Sequence, residues 1–137
     1  MANPIKLVCL DVGEKRIGVA VGDSAIRIAV PYETIDVDGS EIDEISKILE
    51  SEKANILVIG YPRNQAGEPT KQTQFVEEFV KKLHPDNAQI VFQDESMTSV
   101  LAESRLESYK KPYNKADIDA QAAAIILQDY IELNYGK

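Results

Sequence analysis

Two kinds of apolar pattern divide the chain. Up to about residue 37 apolar side chains come in short runs or alternate with small and polar ones; beyond Ser40, helical spacings are interleaved with further runs. Ile5 to Asp11 is an apolar run ending in an acid, which predicts a buried strand. Val12-Gly13-Glu14-Lys15 is a turn, and Ile17, Val19 and Val21 alternate with small residues to predict a second strand over Arg16–Gly22. Asp23-Ser24 supplies turn residues. Ile26 to Val37 predicts a third strand, interrupted at Pro31, which favours a sheet edge because proline cannot donate to a ladder. Three strands with such short links suggest an antiparallel meander.

Ser40 can cap a helix in which Ile42, Ile45, Ile48 and Leu49 share one side. Asn55–Gly60 predicts another buried strand, and residues 61–69 a polar, proline- and glycine-containing loop. A helix is expected from about Thr70 to Leu83, and a fifth strand over Gln89–Gln93, followed by Asp94 and Glu95. Thr98 can cap a helix to about Tyr109; Lys110, Lys111 and Pro112 lie in a loop before a last helix from about Lys115 to Leu133. The order βββαβαβαα has no repeat and no linker, so 1–137 reads as a single domain. It implies an α/β fold: a mixed five-stranded sheet, a three-strand antiparallel meander plus parallel strands, flanked by helices. In element order this resembles the ribonuclease H-like fold.

Composition narrows the chemistry. With 44% apolar and 28% charged residues in 137, the chain can bury a core of its own. No apolar run approaches the roughly 18 residues of a membrane span. Met1–Leu10 holds one lysine and does not read as a signal peptide. The single cysteine, Cys9, sits in an apolar run as a buried hydrophobe and fits a reducing cytoplasm. With His84 the only histidine, the sequence argues against a Cys/His metal site or a histidine-dependent triad. The net charge of −8 argues against non-specific, high-affinity duplex binding, though not against an enzyme whose acids hold metal ions.

Three acids carry the chemical reading. Asp11 ends a central-looking strand, where a carboxylate is costly unless a cation satisfies it. Glu95, with Asp94 beside it, stands just past the end of another strand. Strand ends commonly collect sites in α/β sheets, yet either acid alone could equally face solvent or cap a helix. Asp119 separates the readings. At about 100° per residue, the last helix flanks it with Ala122, Ala123, Ile126, Tyr130 and Leu133; Ala120, Ala124, Leu127 and Ile131 continue that apolar arc. Asp117, Gln121, Gln128 and Glu132 fall mainly opposite, with Asp117 solvated or part of the helix start. Inward acids repel one another unless cations sit among them, and hard oxygen ligands suit one or two Mg²⁺ or Mn²⁺ ions able to assist phosphodiester hydrolysis.

Leu10-Asp11-Val12-Gly13-Glu14-Lys15-Arg16-Ile17-Gly18-Val19-Ala20 resembles the opening motif of the YqgF/RuvX family. Ile59-Gly60-Tyr61-Pro62, Asp94-Glu95-Ser96-Met97-Thr98-Ser99 and Ile118-Asp119-Ala120-Gln121-Ala122-Ala123-Ala124-Ile125-Ile126-Leu127 continue the resemblance in the family's order, over almost the whole chain. It implies a ribonuclease H-like fold, acidic site positions at Asp11, Glu95 and Asp119, and trimming of the 5′ end of 16S rRNA precursors in the cytoplasm. The choice of Glu95 over Asp94 rests mainly on it. The family's arginine after the Asp-Glu pair is Ser96 here, its Gly-Leu-Pro is Gly-Tyr-Pro, and its Asp-Gly-Thr is Ala66-Gly67-Glu68. Losing that arginine would remove a bidentate phosphate contact.

Lys15, Arg16, Arg63, Lys111 and Lys115 are the candidate nucleic-acid contacts, each weighed against an ordinary surface charge. Of Lys15 and Arg16, one is expected to be a solvated strand charge and the other to reach phosphate. Gly13 is either a turn glycine or an approach for phosphate to backbone amides. The expected partner is nucleic acid, pre-rRNA ahead of branched DNA, with ribosomal precursor particles as its setting, no membrane, and a monomer or homodimer. The alternatives are a Holliday-junction resolvase and a non-catalytic ribosome- or transcription-associated binding protein.

Overall fold

The computed structural model describes residues 3–62, 68–85, 87–95, 104–108 and 114–136. The first apolar run forms β1 (Lys6–Val12); the alternating segment after it forms β2 (Arg16–Asp23), and β3 (Val30–Asp36) completes the meander. Then follow α1 (Glu41–Ser51), β4 (Ile56–Pro62), α2 (Lys71–Val80), β5 (Gln89–Glu95) and α3 (Lys115–Tyr135), with residues 104–108 helical as well. The strands lie in the order β3-β2-β1-β4-β5. β1 pairs antiparallel with β2 and parallel with β4, β2 antiparallel with β3, and β4 parallel with β5. This is the mixed sheet of a ribonuclease H-like fold.

The central position of β1 explains its unbroken apolar run: both faces are covered, so every residue from Leu7 to Leu10 is buried. The two-residue strand period sorts them. Val8, Leu10 and Val12 join Ile17, Val19, Leu57 and Ile59 against Ile45 and Ile48 of α1 and Val76 and Phe79 of α2. Leu7 and Cys9 join Ala20 and Val58 against Ala123, Ala124, Ile126, Leu127 and Ile131 of α3. The molecule is thus three-layered, with α3 alone among the labelled helices on the second face. Burying one side chain of the Leu or Ile class stabilises by about 1.5–3 kcal/mol.

Several expectations need correction. β3 begins at Val30, not Ile26, because the Asp23 carboxylate accepts from the amides of Ala25 and Ile26, and Arg27 takes φ +62°. Pro31 does lie on an edge strand, where the register against β2 shifts between Val19 and Ala20. Ser40 precedes α1 but does not cap it, since its hydroxyl donates to Asp38. Thr70 and Asn114 cap α2 and α3 instead, each in a reciprocal pair with the residue three positions on, Thr73 and Asp117. Gln121, expected outward, is only 5% exposed: α3 is covered on its outer side too, where Leu106 and Gln121 line one hollow and Ala122 and Ile125 pack with Ile118. Leu133, expected with the core, is 75% exposed, being about 200° round the helix from buried Ile131. The helix expected at Thr98 begins outside the described residues.

Candidate functional site

Strand parity gathers the candidate acids on the α3 face of the sheet. Asp11 is the penultimate residue of β1, two positions after Cys9 and therefore on the same side. β5 runs two residues further than its apolar pattern suggests and ends at Glu95, opposite Pro62 of β4. Because Asp94 is still within the strand, it points to the other face from Glu95. Asp119 is the fifth residue of α3, in the turn after the Asn114–Asp117 cap. Asp117 is accordingly part of the helix start, accepting from the Asn114 amide at 3.0 Å.

Two glycines set how closely these acids approach. Gly18 pairs with Asp11 across β1 and β2, and a Cβ there would stand 1.9 Å from the Asp119 carbonyl oxygen. The backbone of α3 thus rests on β2 at the point where Asp119 meets Asp11. A Cβ on Gly60 would stand 2.3 Å from Glu95 Oε2 and 2.8 Å from Ile126 Cδ1. The Glu95 carboxylate fills the space that a side chain at position 60 would need.

This packing leaves the carboxylates poorly compensated. Glu95 Oε2 is buried with no hydrogen-bond partner among the described residues. Burial, and then repulsion from Asp11, pushes the Glu95 carboxyl up to about 8. Burial, and then the charge of Asp119, pushes Asp11 up to about 6. The same field reaches Cys9, whose thiol is raised first by burial and then by Asp11 and Glu95. Asp119 is better served: Arg16 Nε donates to its Oδ2 at 2.7 Å. As the side chains stand, no three acidic, histidine or cysteine groups among the described residues converge closely enough to share one ion.

The candidate cations separate. Arg16 is half-buried at the start of β2 and bound to Asp119, whereas Lys15 is exposed in the preceding turn. Lys115 is exposed at the first position of α3. Arg63 and Lys111 lie outside the described residues, as does Ser96. Gly13 closes the β1–β2 turn, its amide donating to the Arg16 carbonyl at 3.0 Å. The sequence reading missed the Arg16–Asp119 pair and the role of Gly18 and Gly60. A glycine inside a strand is itself a signal of close backbone approach, and both were there to be read.

Comparison with known proteins places the chain in a family. A protein from Sulfurihydrogenibium sp. is 38% identical over 130 residues, covering 93% of this chain and 90% of its own. One from Synechocystis sp. is 36% identical over 138 residues, covering 97% and 91%. Each bears the name "Putative pre-16S rRNA nuclease". The fowlpox virus resolvase, in its crystal structure with substrate Holliday junction DNA, shares the fold at a TM-score of 0.60, covering 94% of this chain and 98% of the resolvase at 9% identity. Residues 5–133 match the model of the RuvX family, described as Holliday junction resolvase, and the chain belongs to that family.

Proposed function

We propose that this chain is a metal-dependent endonuclease in which Asp11, Glu95 and Asp119 hold one or two Mg²⁺ or Mn²⁺ ions. The observation that carries the reading is a set of mutually repelling carboxylates on one face of the sheet, including a buried Glu95 oxygen that has no partner among the described residues. The donor set fits such an ion: hard oxygens, from two strand ends and a helix, one of them buried without a partner among the described residues. A bound divalent ion there would activate a water and steady the leaving oxygen of a phosphodiester. The chain's own part is positioning. Gly18 seats Asp119 against β1 and β2, Gly60 makes room for Glu95, and β1 fixes Asp11 in the middle.

The substrate reading is 5′-end processing of pre-16S rRNA, as the names of the curated relatives suggest, in a cytoplasmic setting and with residues 1–137 acting as one nuclease domain. No helix among the described residues is long and apolar enough to cross a membrane. Lys15 and Lys115 are the exposed described cations proposed to meet the nucleic-acid backbone, with Arg63 and Lys111 from the segments that precede α2 and α3. A second reading, resolution of branched DNA, is favoured by the family's description; a resolvase of that kind acts as a symmetric dimer.

Wild type and Asp119→Asn compared on precursor rRNA and on four-way DNA junctions, with Mg²⁺ or Mn²⁺, test both. Metal-dependent cleavage of the RNA, lost in the variant, is expected. Cleavage of junctions alone favours the second reading. Equal cleavage by both proteins removes the site assignment, and binding of RNA without cleavage by wild type points to a non-catalytic role.

A further inference from the structure

Arg16 occupies an odd place for a residue expected to grip substrate. It opens β2, opposite Asp36 of β3, and its Nε donates to Asp119 Oδ2 at 2.7 Å. A charge-assisted bond of this length is among the stronger polar contacts a protein makes. The charge of Asp119 is thereby offset, while Glu95 Oε2 is buried with no hydrogen-bond partner among the described residues. The backbone of Asp119 lies close on Gly18, where an added Cβ would stand 1.9 Å from the Asp119 carbonyl oxygen. Its carboxylate can still turn about its own side-chain bonds. The two side chains keep 32% and 26% of their surface exposed, so an ion reaches them from solvent without opening the fold. Asp119 presents its carboxylate to Arg16, and no three candidate ligands converge among the described residues.

We propose that Arg16 and the metal compete for Asp119: the guanidinium holds this carboxylate out of the ligand set in the metal-free protein, and metal binding releases it toward solvent, where nucleic-acid phosphate approaches. The inference rests on the metal-site reading above. Arg16 is a positioning residue here, acting through Asp119. Its planar fork suits both partners in turn, a carboxylate and then a phosphate.

Calorimetric titration of Mn²⁺ into wild type, Arg16→Gln, Arg16→Lys and Lys15→Gln tests the competition. Arg16→Gln should bind Mn²⁺ about fivefold or more tightly than wild type, at the low end of ordinary coupling between sites. Arg16→Lys, which keeps the charge but loses the Nε donor, should fall between wild type and Arg16→Gln. Lys15→Gln makes the same change in net charge at an exposed neighbour and should change affinity less than about twofold. An affinity for Arg16→Gln equal to or weaker than that of a metal-binding wild type overturns this inference and leaves the metal site standing. Absence of Mn²⁺ binding in every protein overturns the metal site and this inference together. Should Arg16→Gln not fold, the Arg16 Nε–H resonance of ¹⁵N-labelled wild type decides. It should be protected from exchange without metal and lose that protection at saturating Mg²⁺; unchanged protection overturns the competition.

Discussion

Replacing Glu95 with glutamine should stabilise the metal-free protein at alkaline pH while abolishing its activity. The substitution keeps the shape of a side chain packed into the space over Gly60 and removes a charge that burial and Asp11 both oppose. The carboxyl is raised from an ordinary 4.5 to about 8 in the folded protein, so the folded state holds this proton more tightly than the unfolded chain. The stabilisation this gives is complete below the unfolded value and is lost as pH rises through about 8. By pH 9 a difference of about 3.5 pH units corresponds to about 5 kcal/mol at 1.36 kcal/mol per unit. Local relaxation and water entry reduce such penalties severalfold, leaving about 1–2 kcal/mol. For a chain of this length that is a rise in Tm of about 3–8 °C. Thermal melts in a chelating buffer at pH 5 and pH 9 measure it. The gain should be present at pH 9 and shrink to a few tenths of a kcal/mol at pH 5 (order of magnitude). An equal gain at both values, or a loss at pH 9, would refute the argument that Glu95 carries an uncompensated buried charge.

The two glycines should respond differently to alanine. At Gly18 the added Cβ meets the Asp119 backbone at 1.9 Å, so α3 must move; a loss of about 3 kcal/mol or more in denaturant melts is expected. At Gly60 the added Cβ meets side-chain ends that can yield, Glu95 Oε2 and Ile126 Cδ1, so the cost should be about 1–2 kcal/mol while cleavage falls as the Glu95 carboxylate is displaced. Equal losses of stability would show that α3 does not sit on Gly18 as described. Lys15→Gln and Lys115→Gln should leave Tm unchanged and each lower the slope of log affinity against log salt for RNA by about 0.7–0.9; an unchanged slope removes that lysine from the interface.

Much of this fold was written in local pattern. The strand of Leu7–Leu10 announced its double-sided burial by lacking polar alternation, whereas Asp119, read as inward from the arc of alanines and isoleucines around it, is half-buried with its carboxylate bound to Arg16. Where the reading failed, a contact outside the local window decided. The Asp38 carboxylate captured the Ser40 hydroxyl that should have capped α1. Asp23 bent the chain that should have been the start of β3. Gln121 is buried by groups on the outer side of α3, which helical periodicity could not foresee. The distinction between Asp94 and Glu95 turned on how far β5 extends, since parity assigns opposite faces only while the strand continues. Asp11 and Glu95 were legible as acids at strand ends; their mutual repulsion depends on β4 spacing two strands that are far apart in sequence.

The role proposed for the carboxylates on the α3 face is metal-assisted hydrolysis. Single-turnover cleavage of 5′-labelled precursor rRNA at fixed Mg²⁺, by wild type and by Asp11→Asn matched for folding by circular dichroism, tests it most directly. Cleavage by wild type should be chelator-sensitive, and the rate in the variant at least about a hundredfold lower. Cleavage by a folded Asp11→Asn at the wild-type rate would contradict it.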